Sequence, residues 1–522
     1  MNALEQYDAI VVGSGFGGSI SALRLAQAGK SVLVLERGRR YRAGEFPRDV
    51  TDIDRLFWSS RYHRSGTGLY DIRFFSGISV VVASGVGGGS LIYANINIRP
   101  DPVVFEDSRW PAKIDVHSLG PYYDKVAAAL AVRPLPADIH VRKRDFFRAA
   151  AGRVGRPVFD PDEAVIWEQT PDMAAGRGAC RFVAECEFGC QYGAKNSVDV
   201  MYLAHAERLG AMVRTGVVVS CVRPVQGGYA VEYRDTAGAA AQAIGRRVVL
   251  AAGTLGTNEI LLRSRDEAGT LPDISAMLGR GFSGNGDFLG SIQNASTDLS
   301  PQYGPDVTSV IRYFDEAPEF TMAAPTFNAA VMAVLASLGQ PRGRALRLFA
   351  PLLWGQLERI LPWAFAKGLI SGPSRLPARH AGDPNRMTNL FAIGRDNANG
   401  RLLLTRRRLD IVWDYARENQ MLVDRMVQAM REVGDAYGGT FAPLVTWNMF
   451  KRIISVHPLG GCRMSDSPEG GVVSPEGEAY GYPGLFVADG SVVPTSIGFH
   501  PAMTISALAE HTAEAVIASY PA

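Results

Sequence analysis

The hydrophobic pattern is most legible at the head of the chain. Ala9–Val12 is an unbroken apolar run, as a strand buried on both faces requires. It stops at a glycine turn, Gly13-x-Gly15-x-x-Gly18. Ile20, Leu23 and Ala26-Gln27 then recur at helical spacing until Gly29, and Ser31–Leu35 is a second apolar strand closed by Glu36. This is one βαβ unit. Further on, the pattern predicts helices over Leu119–Ala131 and Lys195–Leu209. Strands are expected over Met212–Val222 and Tyr229–Tyr233, joined through Gly227-Gly228. Arg247–Ala252 is another buried-type strand, followed by Gly253-Thr254 and a helix over Asn258–Arg263, which reads as the returning strand of a doubly wound sheet. From Ser283 to Ala442 strand-like runs alternate without nucleotide signals, and Asn419–Gly434 has the apolar helical face Leu422, Met426, Met430 and Val433.

The expected fold is therefore α/β: a doubly wound Rossmann-type dinucleotide-binding domain with an inserted α+β substrate domain built on an antiparallel sheet. The first takes residues 1–110, 180–300 and 450–522, and the second 111–179 and 301–449.

Each glycine of the first unit has its own physical reason. Gly13 permits the tight turn, Gly15 lets a pyrophosphate approach the backbone, and Gly18 lets helix and strand pack closely. The phosphates are expected on the helix N-terminus, where unpaired N–H groups and the helix dipole favour negative charge. Glu36 is placed to accept hydrogen bonds from a ribose diol. FAD and NAD share this motif, and it does not choose between them. A second glycine cluster, Gly85, Gly87, Gly88 and Gly89 between Ser84 and Ser90, reads as a loop whose N–H groups face another part of the same cofactor. The plainer reading is a flexible turn between strands.

Length and charge narrow the class. The 522 residues suffice for two or three domains, and 54 basic against 52 acidic residues, with no dense basic stripe, exclude a nucleic-acid footprint. Met1–Gln6 runs into the first strand without a basic or apolar leader, so the expected location is cytoplasmic. No apolar run is long enough to span a bilayer. Pro341–Arg375 is basic, aromatic-bearing and amphipathic, and reads either as a peripheral membrane contact or as helices packed on the enzyme's own core. Cys180, Cys186 and Cys190 lack the usual metal spacing, and no metal is expected.

Chemistry concentrates at the C-terminus, where two His-Pro dipeptides, His457-Pro458 and His500-Pro501, occur in a chain of only 8 histidines. Pro501 suits a first helical position, which would set His500 at a positive helix end. Asp489-Gly490-Ser491 follows the strand-like Leu485–Ala488.

Together GSGFGG with Glu36, SGVGGGS, GAKNSVDVMYL, LAAGTLGTNEILL, HPLGGC and ADGS…GFHPAMTISALAE resemble the glucose-methanol-choline (GMC) family of FAD oxidoreductases, closest in form to its cholesterol oxidase branch. By that resemblance the cofactor is FAD. Its binding residues would be Gly13, Gly15, Phe16, Gly17, Gly18, Glu36 and Arg37; Gly85, Gly87, Gly88, Gly89 and Ser90; Val222, near the adenine; Ala252 and Gly253; and Asp489, Gly490, His500, Pro501 and Met503. His457 and His500 correspond to the family's active-site pair. The resemblance implies oxidation of an alcohol to a ketone or aldehyde, with a histidine base and with oxygen or another electron acceptor. A large apolar alcohol, sterol-like or long-chain, is the expected substrate. The alternatives are a small polar or sugar alcohol, a lyase or decarboxylase on the same fold, and flavin binding without catalysis. Two departures matter. The steroid oxidases place Asn where this chain has His500, and their isomerising glutamate has no counterpart in Asp383–Ile393, where only Asp383 and Pro384 stand near the expected position.

Overall fold

The structure is a computed structural model that describes residues 5–48, 53–58, 66–235, 237–326 and 383–521. The segment 341–375, singled out above for its basic amphipathic character, lies outside the described residues.

The first unit forms as its pattern requires: β1 (Gln6–Val12), α1 (Phe16–Gln27) and β2 (Val32–Leu35), with Ala9–Val12 and all of β2 buried. β1 and β2 pair in parallel. Outward from β2 lies Met212–Arg214, and on the other side of β1 lies Ala240–Leu250, both parallel to their neighbours. Ala240–Leu250 has 11 residues and uses its free edge twice. Its first half pairs antiparallel with Gly228–Asp235, and Val248–Leu250 pairs in parallel with Leu485–Val487. Five parallel strands therefore end along one edge. Gly13, Glu36, Ala251 and Ala488 follow those ends directly, which is where open α/β sheets bind ligands.

Two sequence expectations need correction. Met212–Val222 is not one strand. Gly216, at φ 70°, turns the chain so that Met212–Arg214 stays with the parallel sheet while Val217–Val225 enters the antiparallel meander. The helix expected from Lys195 begins only near Val198, as a π-helical turn over Asp199–Leu203 followed by Ala204–Arg208, because Lys195 and Asn196 are drawn into buried loop contacts.

The chain ends meet on one face of the parallel sheet. α1 packs on the C-terminal helix Ala502–Ala518, and Arg24 makes a two-pronged ion pair with the fully buried Glu510 at 2.7 Å per contact.

The antiparallel sheet has six strands in the order Thr440–Pro443, Phe288–Gln293, Thr388–Gly394, Phe320–Ala323, Val310–Tyr313 and Val158–Phe159. Phe288–Gln293, on the nucleotide side of the boundary expected at residue 300, is an inner strand of this sheet. The helix Gln420–Ala436 covers it with Leu422, Met426, Met430 and Val433 buried. Two smaller sheets frame the residues between. Ile453–Ser455 runs parallel to Ile78–Ala83, and Leu459–Gly461 meets Arg280–Ser283, with Leu459 opposite Ser283. His457 is thereby held between two short strands anchored on different parts of the fold.

Candidate active site

One cavity of about 620 Å³ runs from the carboxyl ends of the parallel strands to the two histidines, a size within the usual range for small-molecule and cofactor sites. Its first part is built from glycines that other residues could not replace. Gly13 has φ 95°, and a Cβ there would lie 2.3 Å from the Ala251 carbonyl oxygen. At Gly17 it would lie 1.4 Å from the Ala488 oxygen. Gly15 differs: a Cβ would meet only Gly88 Cα, at 3.8 Å, so its space opens toward the cavity. Gly88, at φ 51°, brings the second glycine loop against it. No side chain caps α1 at Gly15 and its first turn holds no acid, which leaves the uncapped N–H groups of that turn at the cavity wall.

Glu36 sits at the end of β2, buried, with its carboxylate accepting from Ser14 N (3.0 Å), Ser14 Oγ (2.7 Å) and Gly38 N (2.8 Å). Its position is locked while it still borders the cavity. Arg37 pairs with Asp71 at 2.8 Å and lies over the Trp58 ring, and Arg73 bridges Asp71 and Glu259. Asp489 accepts from Ser491 N and Oγ with Oδ1 and from Thr257 Oγ1 with Oδ2. Burial pushes its carboxyl pKa up, and the Ser491 and Thr257 hydrogen bonds oppose that.

At the other end the His457 and His500 rings meet edge to face, centroids 5.3 Å apart, with Phe391 5.6 Å and 6.3 Å from them respectively. His457 Nδ1 lies 2.9 Å from Asp287 Oδ1, and Asp287 Oδ2 accepts the N–H groups of Val456 and His457. Asp287 is fully buried. His500 is buried too, and its Nδ1 has no hydrogen-bond partner among the described residues. Burial, then the neighbouring His457, holds the His500 pKa well below the usual histidine value, so this ring is neutral. Leu289, Pro325, Phe391 and Val456 complete the wall around the pair.

One short segment sets both histidines. Asn285 accepts from the N–H groups of Ile497 and Gly498 and donates to the Phe499 carbonyl, fixing the approach to His500, while Asp287 fixes His457. The buried Asp396 pins this segment through Ser283 Oγ and the N–H groups of Gly284 and Gly286.

Of the residues expected to hold cofactor, Gly13, Gly15, Phe16, Gly17, Glu36, Arg37, Gly88, Gly89, Ala252, Gly253, Asp489, Gly490, His500 and Pro501 line the cavity. Six do not. Gly18 packs on the Gly13 carbonyl; Gly85 faces Leu91 and Tyr41, and Gly87 faces Leu91 and Asp199; Ser90 Oγ is spent on Gly87 O and Val198 N. Val222 is turned away, its N–H bonded to Ser264 Oγ, and Val217–Val219 reach the cavity instead. Met503 is on the wrong side of its helix: Ala502 and Ile505, three residues apart, share the cavity face. Asp383 is exposed and caps the turn Pro384–Arg386. Cys180, Cys186 and Cys190 are free thiols, and no metal-holding group of three or more His, Cys, Asp or Glu occurs among the described residues. Also among them, no helix is long and apolar enough to cross a membrane.

Sequence reasoning missed Asp287, Asn285, Phe391 and the Arg73–Asp71–Glu259 set. The turn-type cluster Gly284-Asn285-Gly286-Asp287 was the available signal for the first two. Nothing local pairs Asp287 with a histidine 170 residues away.

The chain matches GMC oxidoreductase over residues 7–273 and again over 402–509. It is 28% identical to a cholesterol oxidase of Acinetobacter baumannii, covering 97% of this chain and 93% of the relative, and 30% identical to one of Mycobacterium tuberculosis, covering 97% and 90%. A long-chain-alcohol oxidase of Arabidopsis thaliana is 25% identical over 96% of this chain and 66% of the relative. Among solved structures, pyridoxine 4-oxidase from Mesorbium loti superposes with TM-score 0.65 at 18% identity, covering 97% of this chain and 98% of that one. A fungal aryl-alcohol oxidase gives 0.61 at 17%, covering 99% of each. The chain is thus a member of the GMC oxidoreductase family, an FAD-dependent oxidoreductase.

Proposed function

We propose that this protein oxidises the hydroxyl of a bulky apolar alcohol to a carbonyl, with His457 as base. FAD fits the residues present: the Gly15–Gly88 cradle and the uncapped start of α1 suit its pyrophosphate, Glu36 its ribose, and Gly490 and Pro501 its ring end. When bound it supplies the acceptor for the carbinol hydride.

The chain's own groups do the rest. Asp287 takes the Nδ1–H of His457, so Nε2 carries the lone pair that removes the hydroxyl proton, and the same carboxylate stabilises the imidazolium that results. His500, kept neutral by burial, is a poor base and serves to orient the hydroxyl. Leu289, Pro325 and Phe391 present an apolar surface to the same cavity as both rings, which matches an apolar carbinol carbon.

The carrying observation is the Asp287–His457 pair facing the apolar wall. Relatives named for cholesterol and long-chain alcohols support the apolar choice. The test is anaerobic bleaching of bound flavin by a panel of sterols, long-chain alcohols and sugars. Preference for sugars overturns the apolar reading, and substrate cleavage without flavin reduction favours a lyase. From its sequence alone, 341–375 supports contact with anionic membrane. Cosedimentation with anionic liposomes should weaken in a Trp363→Glu/Phe365→Glu variant.

A further inference from the structure

The segment 283–287, which sets both histidines, has a backbone shape that its own residues do not favour. Asn285 and Gly286 lie side by side in the left-handed region, at φ 54° and φ 61°. A residue with a Cβ enters that region at a cost, so contacts from outside the segment must hold it there. The carboxylate of Asp396 supplies them. Its Oδ1 accepts from Ser283 Oγ (2.7 Å) and Ala398 N (2.9 Å), and its Oδ2 from Gly284 N (3.1 Å) and Gly286 N (2.8 Å). Ser283 Oγ in turn accepts from Asn285 N at 2.8 Å. Three consecutive N–H groups, of residues 284, 285 and 286, thus end on this carboxylate directly or through one hydroxyl. The Asp396 carbonyl also accepts from Ser496 Oγ at 2.7 Å, on the stretch that leads to His500.

Asp396 is 3% exposed and lies two residues beyond the strand Thr388–Gly394, which carries Phe391 against both rings. With four donors on its two oxygens, only the ionised carboxylate satisfies them all. A proton on either oxygen would set a donor against donors. Asp287 faces it from the far end of the same segment, with His457 beyond, and Tyr415 is the buried phenol within electrostatic reach, kept neutral by its burial. The neighbouring charges are engaged elsewhere: Arg395 on Asp107 and Glu319, Arg109 on the Asn397 carbonyl, Glu418 on Asn399. Burial, with a smaller contribution from Asp287, raises the Asp396 carboxyl to about 6, and its hydrogen bonds oppose the rise.

We propose that Asp396 is a positioning residue of the reaction: its ionised carboxylate holds 283–287 in the shape that sets Asn285 on the approach to His500 and Asp287 on His457, and without that charge the two rings lose their alignment. This rests on the alcohol reading above, and the experiment separates the two. Native holoenzyme and Asp396→Asn are mixed anaerobically with cholesterol and with 1-dodecanol, and flavin bleaching at saturation is followed from about pH 5 to about pH 8. Near pH 8 the variant should bleach about 10–100-fold more slowly, the scale of a small misplacement of reacting groups, with half-saturation and bound flavin unchanged. An amide, like a protonated carboxyl, offers one donor and one acceptor, so the native-to-variant ratio should fall toward one below about pH 5. Protonation of the base is common to both proteins and cancels in that ratio. Equal rates near pH 8, or a ratio that does not change with pH, overturns the proposal while leaving alcohol oxidation intact. If neither alcohol bleaches the flavin, the alcohol reading fails in that form, and nitrogen NMR of labelled histidine judges Asp396 without substrate. A mixture of His457 ring tautomers in Asp396→Asn near pH 8 supports the role, and a native-like Nδ1–H form overturns it. Should Asp396→Asn not retain flavin, Ser283→Ala removes the one hydroxyl between Asp396 and Asn285 and is read by the same two measurements: slower bleaching or mixed tautomers support the proposal, and native values overturn it.

Discussion

Asp287 Oδ1 stands 2.9 Å from His457 Nδ1, across 170 residues of chain, and the other oxygen of the same carboxylate holds the backbone N–H groups of Val456 and His457. The histidine is thus fixed by its ring and by its main chain at once. Its tautomer follows, because a buried carboxylate only accepts, so Nδ1 must carry the proton.

Asp287→Asn should therefore damage catalysis more than folding. The amide can donate to Nδ1 and stabilise the wrong tautomer, and turnover should fall by about 10²–10⁴-fold with flavin still bound. Nitrogen NMR of labelled histidine should show the Nδ1–H form of His457 in the native enzyme and its loss in the variant. Unchanged turnover would remove Asp287 from the mechanism.

His457→Ala should lower turnover by about 10²–10⁴-fold, the usual value of an acid–base group. His500→Asn should cost less, since an amide can still orient a hydroxyl. Both should keep the flavin absorbance. A larger loss in His500→Asn than in His457→Ala would reverse the roles assigned to them.

His500 should also report on pH. Its folded pKa lies well below its unfolded value of about 6.5, so its contribution to stability is complete above about pH 6.5 and is lost as pH falls toward the folded pKa, where the unfolded chain binds a proton that the native state refuses. The limiting slope is about 1.4 kcal/mol per pH unit. Melting temperatures between pH 7 and pH 5 should fall less steeply in His500→Asn. Parallel curves would show that burial does not hold His500 neutral.

The glycines should separate by function. Gly17→Val puts a side chain into the Ala488 carbonyl and should abolish folded protein. At Gly15 the Cβ of a valine would meet only Gly88 Cα, at 3.8 Å, so in Gly15→Val the fold should survive while the cradle fills and the preparation becomes colourless. Circular dichroism and flavin absorbance read the two outcomes. A yellow Gly15→Val protein would show that the pyrophosphate lies elsewhere.

What the sequence determined by itself was local. The run Ala9–Val12, the three glycines and Glu36 specify a βαβ unit because strand, turn and helix preferences act over a few residues, and the structure forms that unit, with its strands ending at Val12 and Leu35 as read but beginning at Gln6 and Val32. The same holds for the amphipathic helix Gln420–Ala436, whose core face was legible from its period. His457 and His500 stood out through their His-Pro settings, but their meeting at 5.3 Å depends on two separate stretches of chain. Tertiary structure alone decided that meeting, the choice of Asp287 as the partner of His457, and the turning of Val222 and Met503 away from the cavity. In each case the reason is the same: which face of a strand or helix looks into a cavity, and which carboxylate reaches which ring, is set by packing between elements far apart in the chain. No local preference encodes it.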